Sequence, residues 1–398
     1  ANDQPRPPAT RATARSPPQT RPSAKRATAP RPYEPVARTA LLLPDDLQPL
    51  AQARQIRSGP PPRRSWIARF TRNSRWHEAW GATGMSYAHQ YLPGTFYEVT
   101  RRCVDRAHKF TPNYDRGGKY ASSVEQLYKY ATARYAERYG IEVIAVCMMS
   151  NHMHEVLFDR SGKISQFLQK RNKMLADTVK VRYGLPSSVF DKPDGPYNRL
   201  EGTTAIAEKI AYAMANPVAA GLVASPEEWP GMISAVEDLF GMSTPVKRPR
   251  EYLAQDDKTN APEVKFRVGA PTEAVEMFGS VTEMATQVAT HLAKKIKAAR
   301  RRHSGRFAGR MRVLATNPHS RAKTYEKFGG RVPRLTTAGD LAAAKRLIAE
   351  MRAFRKAHRI ALEAVKAGKR RVTFPAGTGK MHFIYGYPRE AYVPLAAA

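Results

Sequence analysis

Hydrophobic and polar positions fall into two alternating periods across residues 86–240. Residues 95–104 (TFYEVTRRCV) concentrate β-branched and aromatic side chains at the density of a strand. In residues 122–139, Val124, Leu127, Tyr128, Ala131 and Tyr135 recur at helical spacing, and Gly140 stands where a helix-ending glycine belongs. Residues 141–158 open as an apolar run, pause at Ser150 and Asn151, and resume as HMHEVLF, which predicts one long buried strand or a strand pair. Ile164, Phe167, Leu168, Leu175 and Val179 mark a second amphipathic helix. After a loop rich in Pro, Asp and Gly, residues 203–215 form a short helix ending at Asn216 and Pro217. The order predicts a small α+β, ferredoxin-like (RRM-like) sheet, antiparallel, with helices on one face.

The flanks differ. Up to about residue 64 the chain is dominated by Pro, Arg, Ala, Thr and Ser, too poor in apolar surface to offset the entropy of ordering, so residues 1–85 read as a disordered arm. Its last stretch interleaves Trp66, Phe70, Trp76 and Trp80 with arginines, a pattern suited either to stacking on bases or to docking on the core. Residues 241–398 read as mostly helical, with helices at 280–303 and 340–367.

Charge sharpens this division. The 398 residues carry 66 Lys+Arg against 34 Asp+Glu, a formal net charge of +32. Of that, residues 1–85 hold +10, residues 86–240 only +2, and residues 241–398 the remaining +20. Such an excess argues for a polyanionic partner, while the nearly neutral middle is the part suited to chemistry. Arg300, Arg301 and Arg302, and Lys369, Arg370 and Arg371, read as phosphate-contacting clusters. Two cysteines, Cys103 and Cys147, exclude a disulfide scaffold or a multi-cysteine zinc module and read as core thiols. No apolar run reaches the roughly 18 residues of a membrane span, and the opening residues lack a secretory pattern. A cytoplasmic setting is the expectation.

The candidate chemistry lies in His152 and His154, which flank Met153 and so face one side of a strand, where two neutral imidazoles can reach one metal ion. Tyr212 and Asn216, four apart, share the polar face of the short helix. Two imidazoles and an amide oxygen would leave positions open for phosphate oxygens and water, and a phenol one turn away would be placed to attack the phosphorus. Glu208, one turn before Tyr212, reads as a solvated carboxylate on the same helix.

At these residues the sequence resembles the single-tyrosine HUH transposases, in particular the REP-associated tyrosine transposases. The resemblance is carried by SNHMHEVL at 150–157 and YAMANPVAAGLV at 212–223, supported by the opening strand after Tyr91 and Pro93 and by Trp229–Pro230; it covers about residues 90–240. It implies an HUH core, Mg²⁺ or Mn²⁺ held by His152 and His154 with Asn216 as a third ligand, and no nucleotide cofactor. Tyr212 would attack single-stranded DNA beside a hairpin, forming a 5′-phosphotyrosine and freeing a 3′-hydroxyl that a second strand later replaces. Met153 stands where the family has a valine-like residue and Glu155 where an apolar one is commoner, and Glu155 is expected to point away from the metal. Both a monomer and a homodimer remain open.

Two other functions compete: a domesticated relative that binds structured DNA or RNA without cutting it, and a basic RNA-associated protein of ribosomal type. Residues 377–380 (GTGK) lack the spacing of a phosphate loop, and FPAGT at 374–378 resembles a segment of larger transposase-like relatives without an assigned role.

Overall fold

A computed structural model describes residues 88–112, 122–186, 188–191, 197–249, 252–253, 260–323 and 335–393. The expected arm and its aromatic–arginine stretch lie outside the described residues, all of which fall within one unit, Trp66–Ala398.

Strand β1 (Thr95–Arg102) is followed by helix α1 (Val124–Tyr139), the hairpin β2 (Ile141–Met148) and β3 (His152–Asp159), helix α2 (Ile164–Tyr183), strand β4 (Tyr197–Leu200) and helix α3 (Thr203–Ala219). Then come a second hairpin, β5 (Met242–Lys247) and β6 (Glu263–Val268), and helices α4 (Thr272–Phe278), α5 (Val281–Arg302) and α6 (Arg310–Leu314). The two-residue strand β7 (Leu335–Thr336) and the long helix α7 (Leu341–Lys366) follow. The apolar stretch expected at 141–158 is thus a strand pair. Its turn is closed by the Met149 N–H donating to the His152 carbonyl at 2.8 Å.

The main sheet has the order β2-β3-β1-β4-β7. Its first four strands pair antiparallel and β7 joins β4 in parallel, so the sheet is mixed rather than purely antiparallel. The expectation of helices on one face alone also fails, for a reason visible in the burial. Strands β1 and β3 are buried almost continuously, and a strand buried on both sides needs cover on both. On one face Tyr97, Val99, Met153 and Leu157 pack with Leu127 of α1 and Phe167 and Leu175 of α2. On the other, Phe96, Val156 and Phe158 pack with Ile206, Ile210 and Met214 of α3, and with Met284 and Val288 of α5. The architecture is α+β, a five-stranded mixed sheet between helical layers.

Local signals set the helix ends. The Ser123 hydroxyl accepts from the Gln126 N–H at 3.1 Å to start α1, and Gly140 ends it at φ 62°, a left-handed turn that costs glycine little. Ser280 and Asp340 cap α5 and α7 in the same way. The helix expected to stop before Asn216 instead runs through Pro217 to Ala219. Proline in this last turn removes only the bond to the Ala213 carbonyl, and the fully buried Val218 holds the extra turn against the core. Hairpin β5–β6 escapes the hydrophobic pattern because Pro245 breaks one strand's signature. Both cysteines are buried free thiols; burial pushes the Cys103 pKa up to about 12 and raises that of Cys147 as well.

The FPAGT segment has a structural place. Tyr91 donates its N–H to the Gly377 carbonyl at 2.9 Å, and Gln90 bridges to Thr378, so the segment seals the entry to β1. Gly377 has φ 83°, and a Cβ there would meet Gln90 Cγ at 2.6 Å.

Candidate functional site

His152 and His154 lie near the start of β3, opposite Arg102 and Thr100 of β1. Their two-residue spacing turns both rings to the α3 face, where the imidazoles meet edge to face with centroids 4.9 Å apart. The Tyr212 ring meets His154 at 5.2 Å, again edge to face. Tyr212 is 37% exposed, so the site opens to solvent on the tyrosine's side while His154 is buried. The structure therefore brings together the strand pair and the helical phenol.

Each imidazole is oriented through Nδ1. His154 Nδ1 is 3.0 Å from the Thr100 hydroxyl, and His152 Nδ1 donates to the Asn151 side-chain oxygen at 2.6 Å. Asn151 is held in turn by donating from its amide nitrogen to the Arg106 carbonyl at 3.3 Å. Such partners fix ring rotation and direct Nε2 outward, the usual arrangement behind a metal-binding histidine. Burial, with the nearby charges of Arg102 and Lys209, pushes the His154 pKa down to about 3, which keeps the ring neutral at physiological pH.

These residues fit a divalent ion in type and spacing. Two imidazoles bound to one ion at about 2.1 Å and at a right angle would place their ring centres roughly 4.6 Å apart, close to the separation seen. Asn216 lies one turn beyond Tyr212 on α3 and is 7% exposed. Among the described residues no three His, Cys, Asp or Glu side chains converge on one point, so any further donor must be an amide, water or ligand oxygen.

Positive charge surrounds the tyrosine. Lys209, three residues before it on α3, places its ammonium 5.4 Å from the Tyr212 ring centre, and Lys295 of α5 lies 5.8 Å from the same point. Lys209 also pairs with Glu98 of β1 at 2.7 Å. Helical spacing on α3 could have flagged Lys209; nothing local in the sequence points to Lys295. Glu208 turns toward α5, its carboxylate 3.9 Å from His291 Nδ1. Glu155 lies on the opposite sheet face in a fully buried ion pair with Arg171, which takes it away from the imidazoles as expected.

No protein-family model and no curated protein matches the chain. Among solved structures, that of a REP-associated tyrosine transposase bound to a REP hairpin is similar at 18% identity, covering 37% of this chain and 81% of that one, with a TM-score of 0.30. The likeness is partial.

The basic clusters stand at the ends of two different helices. Arg300, Arg301 and Arg302 close α5; Arg300 Nε donates to the Ala224 carbonyl at 2.9 Å, and Arg300 and Arg301 border an open groove with Pro226 and Lys297. Lys369, Arg370 and Arg371 follow α7 and are exposed. Among the described residues no helix is long and apolar enough to cross a membrane.

Proposed function

We propose that this protein is a metal-dependent endonuclease and strand transferase for single-stranded DNA, a transposase-like enzyme with a ferredoxin-like HUH core akin to the REP-associated tyrosine transposases. The observation that carries the reading is the convergence of His152, His154 and Tyr212, contributed by a strand and a helix that meet only in the folded chain. A phenol beside two oriented imidazoles, open to solvent and ringed by cations, suits attack on a phosphodiester better than it suits packing.

In this reading the Tyr212 Oη–P bond forms as the P–O3′ bond breaks. The phosphate stays on the 5′ end of the downstream DNA as a phosphotyrosine, and the phenolic proton passes through solvent to the departing 3′-oxygen. Attack by the 3′-hydroxyl of a second strand reverses the exchange and restores the phenol. One phosphoester replaces another, so no nucleotide is consumed. His152 and His154, with Asn216, would hold Mg²⁺ or Mn²⁺, which when bound would polarise a phosphate oxygen. Thr100 and Asn151 keep the imidazoles turned for that task. Arg300–Arg302 and Lys369–Arg371 would hold flanking phosphates of hairpin DNA without reading sequence.

One observation favours a second reading, a non-cleaving binder of structured DNA or RNA: no carboxylate joins the imidazoles to build a strong cation site among the described residues. Covalent capture separates the two. Labelled hairpin single-stranded DNA from the gene's own flanks is incubated with the protein and Mn²⁺ or EDTA, then run on a denaturing gel. A metal-dependent attached band that vanishes in Tyr212→Phe supports the strand transferase. Salt-sensitive binding to the hairpins with no attachment under any metal would replace it with the binder.

A further inference from the structure

The residues that pack α5 against α3 also determine which charge faces Tyr212. Glu208 meets His291, Tyr212 meets Lys295, and the Ala219 carbonyl accepts from His303 Nε2 at 2.9 Å. These contacts advance together along both helices, so the two run side by side in the same direction. Buried Met284, Ala285 and Val288 seat α5 on the apolar layer beneath α3, and Ala299 packs beside Ala213 and Val218. Lys295 therefore projects from a rigid element at a set height on the tyrosine, although it comes from the basic region beyond residue 240.

The two ammonium groups at the ring differ in what they have left to bind. Lys209 is paired with Glu98, whose carboxylate also accepts from the Asn198 amide at 2.9 Å. Lys295 takes part in no ion pair among the described residues and is half-buried. A cation held close to a phenol, with no carboxylate to neutralise it, is matched to an anion that arrives with the substrate. As Oη approaches phosphorus, negative charge builds on the non-bridging oxygens, and an ammonium already in place stabilises that charge without reorganising.

We propose that Lys295 binds a non-bridging oxygen of the phosphate that Tyr212 attacks, making α5 part of the catalytic site. This rests on the strand-transfer reading for its catalytic consequence, but the phosphate contact can be measured without it.

The test compares Lys295→Ala and Lys295→Arg with Lys294→Ala, a neighbouring exposed lysine whose loss changes net charge equally. Thermal melting first establishes that all three fold like the parent. The rate of covalent attachment to hairpin DNA in Mn²⁺ should fall ten- to a hundredfold in Lys295→Ala relative to Lys294→Ala, and Lys295→Arg should recover most of it. In a Tyr212→Phe background, which separates binding from chemistry, the slope of log affinity against log salt should drop by about 0.7 in Lys295→Ala, the loss of one single-strand phosphate contact. Attachment within twofold of the Lys294→Ala control, with an unchanged slope, would overturn the proposal. If the parent protein never attaches to DNA, the strand-transfer reading fails, and the salt slope alone then decides whether Lys295 touches phosphate.

Discussion

Removing either member of the ion pair behind His154 should destabilise the protein far more than removing both. Glu155 and Arg171 have side chains with no exposed surface, joined by two hydrogen bonds of 2.6 and 2.7 Å. The Tyr128 hydroxyl donates to the same carboxylate at 2.5 Å, and the guanidinium lies 5.3 Å from both the Tyr128 and Phe167 ring centres. Burial works against charge on Arg171, yet Glu155 outweighs it and holds the guanidinium's pKa above its ordinary value. Glu155→Leu leaves a buried guanidinium unpaired and Arg171→Met leaves a buried carboxylate, each costing about 3–5 kcal/mol. The double variant leaves the Tyr128 hydroxyl without its acceptor and removes the longer 3.4 Å bond that the Thr132 hydroxyl accepts from Arg171, a cost of about 1–3 kcal/mol. The coupling energy is therefore roughly 6 kcal/mol, read as shifts of the urea midpoint at constant slope across the four proteins. A Glu155→Leu loss below about 1 kcal/mol, or a double variant as costly as the two singles summed, would refute the reasoning. The pair matters to the site because β3 carries His154 on one face and Glu155 on the other. What anchors the carboxylate also fixes the imidazole.

Two further outcomes concern the proposed metal site. Thr100→Val and Asn151→Ala should each weaken Mn²⁺ binding by about 10–100-fold while leaving the fold intact, since they free the rings that Nδ1 contacts hold; calorimetry showing unchanged affinity would count against the orientation argument. In the proposed site the imidazoles and Asn216 would bring no negative charge, while Arg102 and Lys209 act on His154 and Lys295 stands at Tyr212, so Mn²⁺ should bind weakly to the free protein and more tightly once single-stranded DNA is present. Equal affinity with and without DNA would contradict that linkage.

The hydrophobic pattern determined the elements around the site because local periodicity reports local burial. It was enough to place a strand at 95–104, a helix ending at Gly140 and two histidines on one strand face, but it stopped the third helix at Asn216, one turn short of its end at Ala219, because a proline follows there. The spacing of Tyr212 and Asn216 likewise placed both on one helical face. Strand β4, with four residues, and the hairpin interrupted by Pro245 carry too few positions to register a period. Which face of the sheet receives α3, and that helices cover both faces, is a matter of how much of β1 and β3 each layer must hide, which no single segment states. The meeting of Tyr212 with His154, the pairing of Lys209 with Glu98, and above all the arrival of Lys295 from a later helix were decided by tertiary packing. Each joins residues distant along the chain, and their proximity follows from apolar faces that none of these polar side chains belongs to.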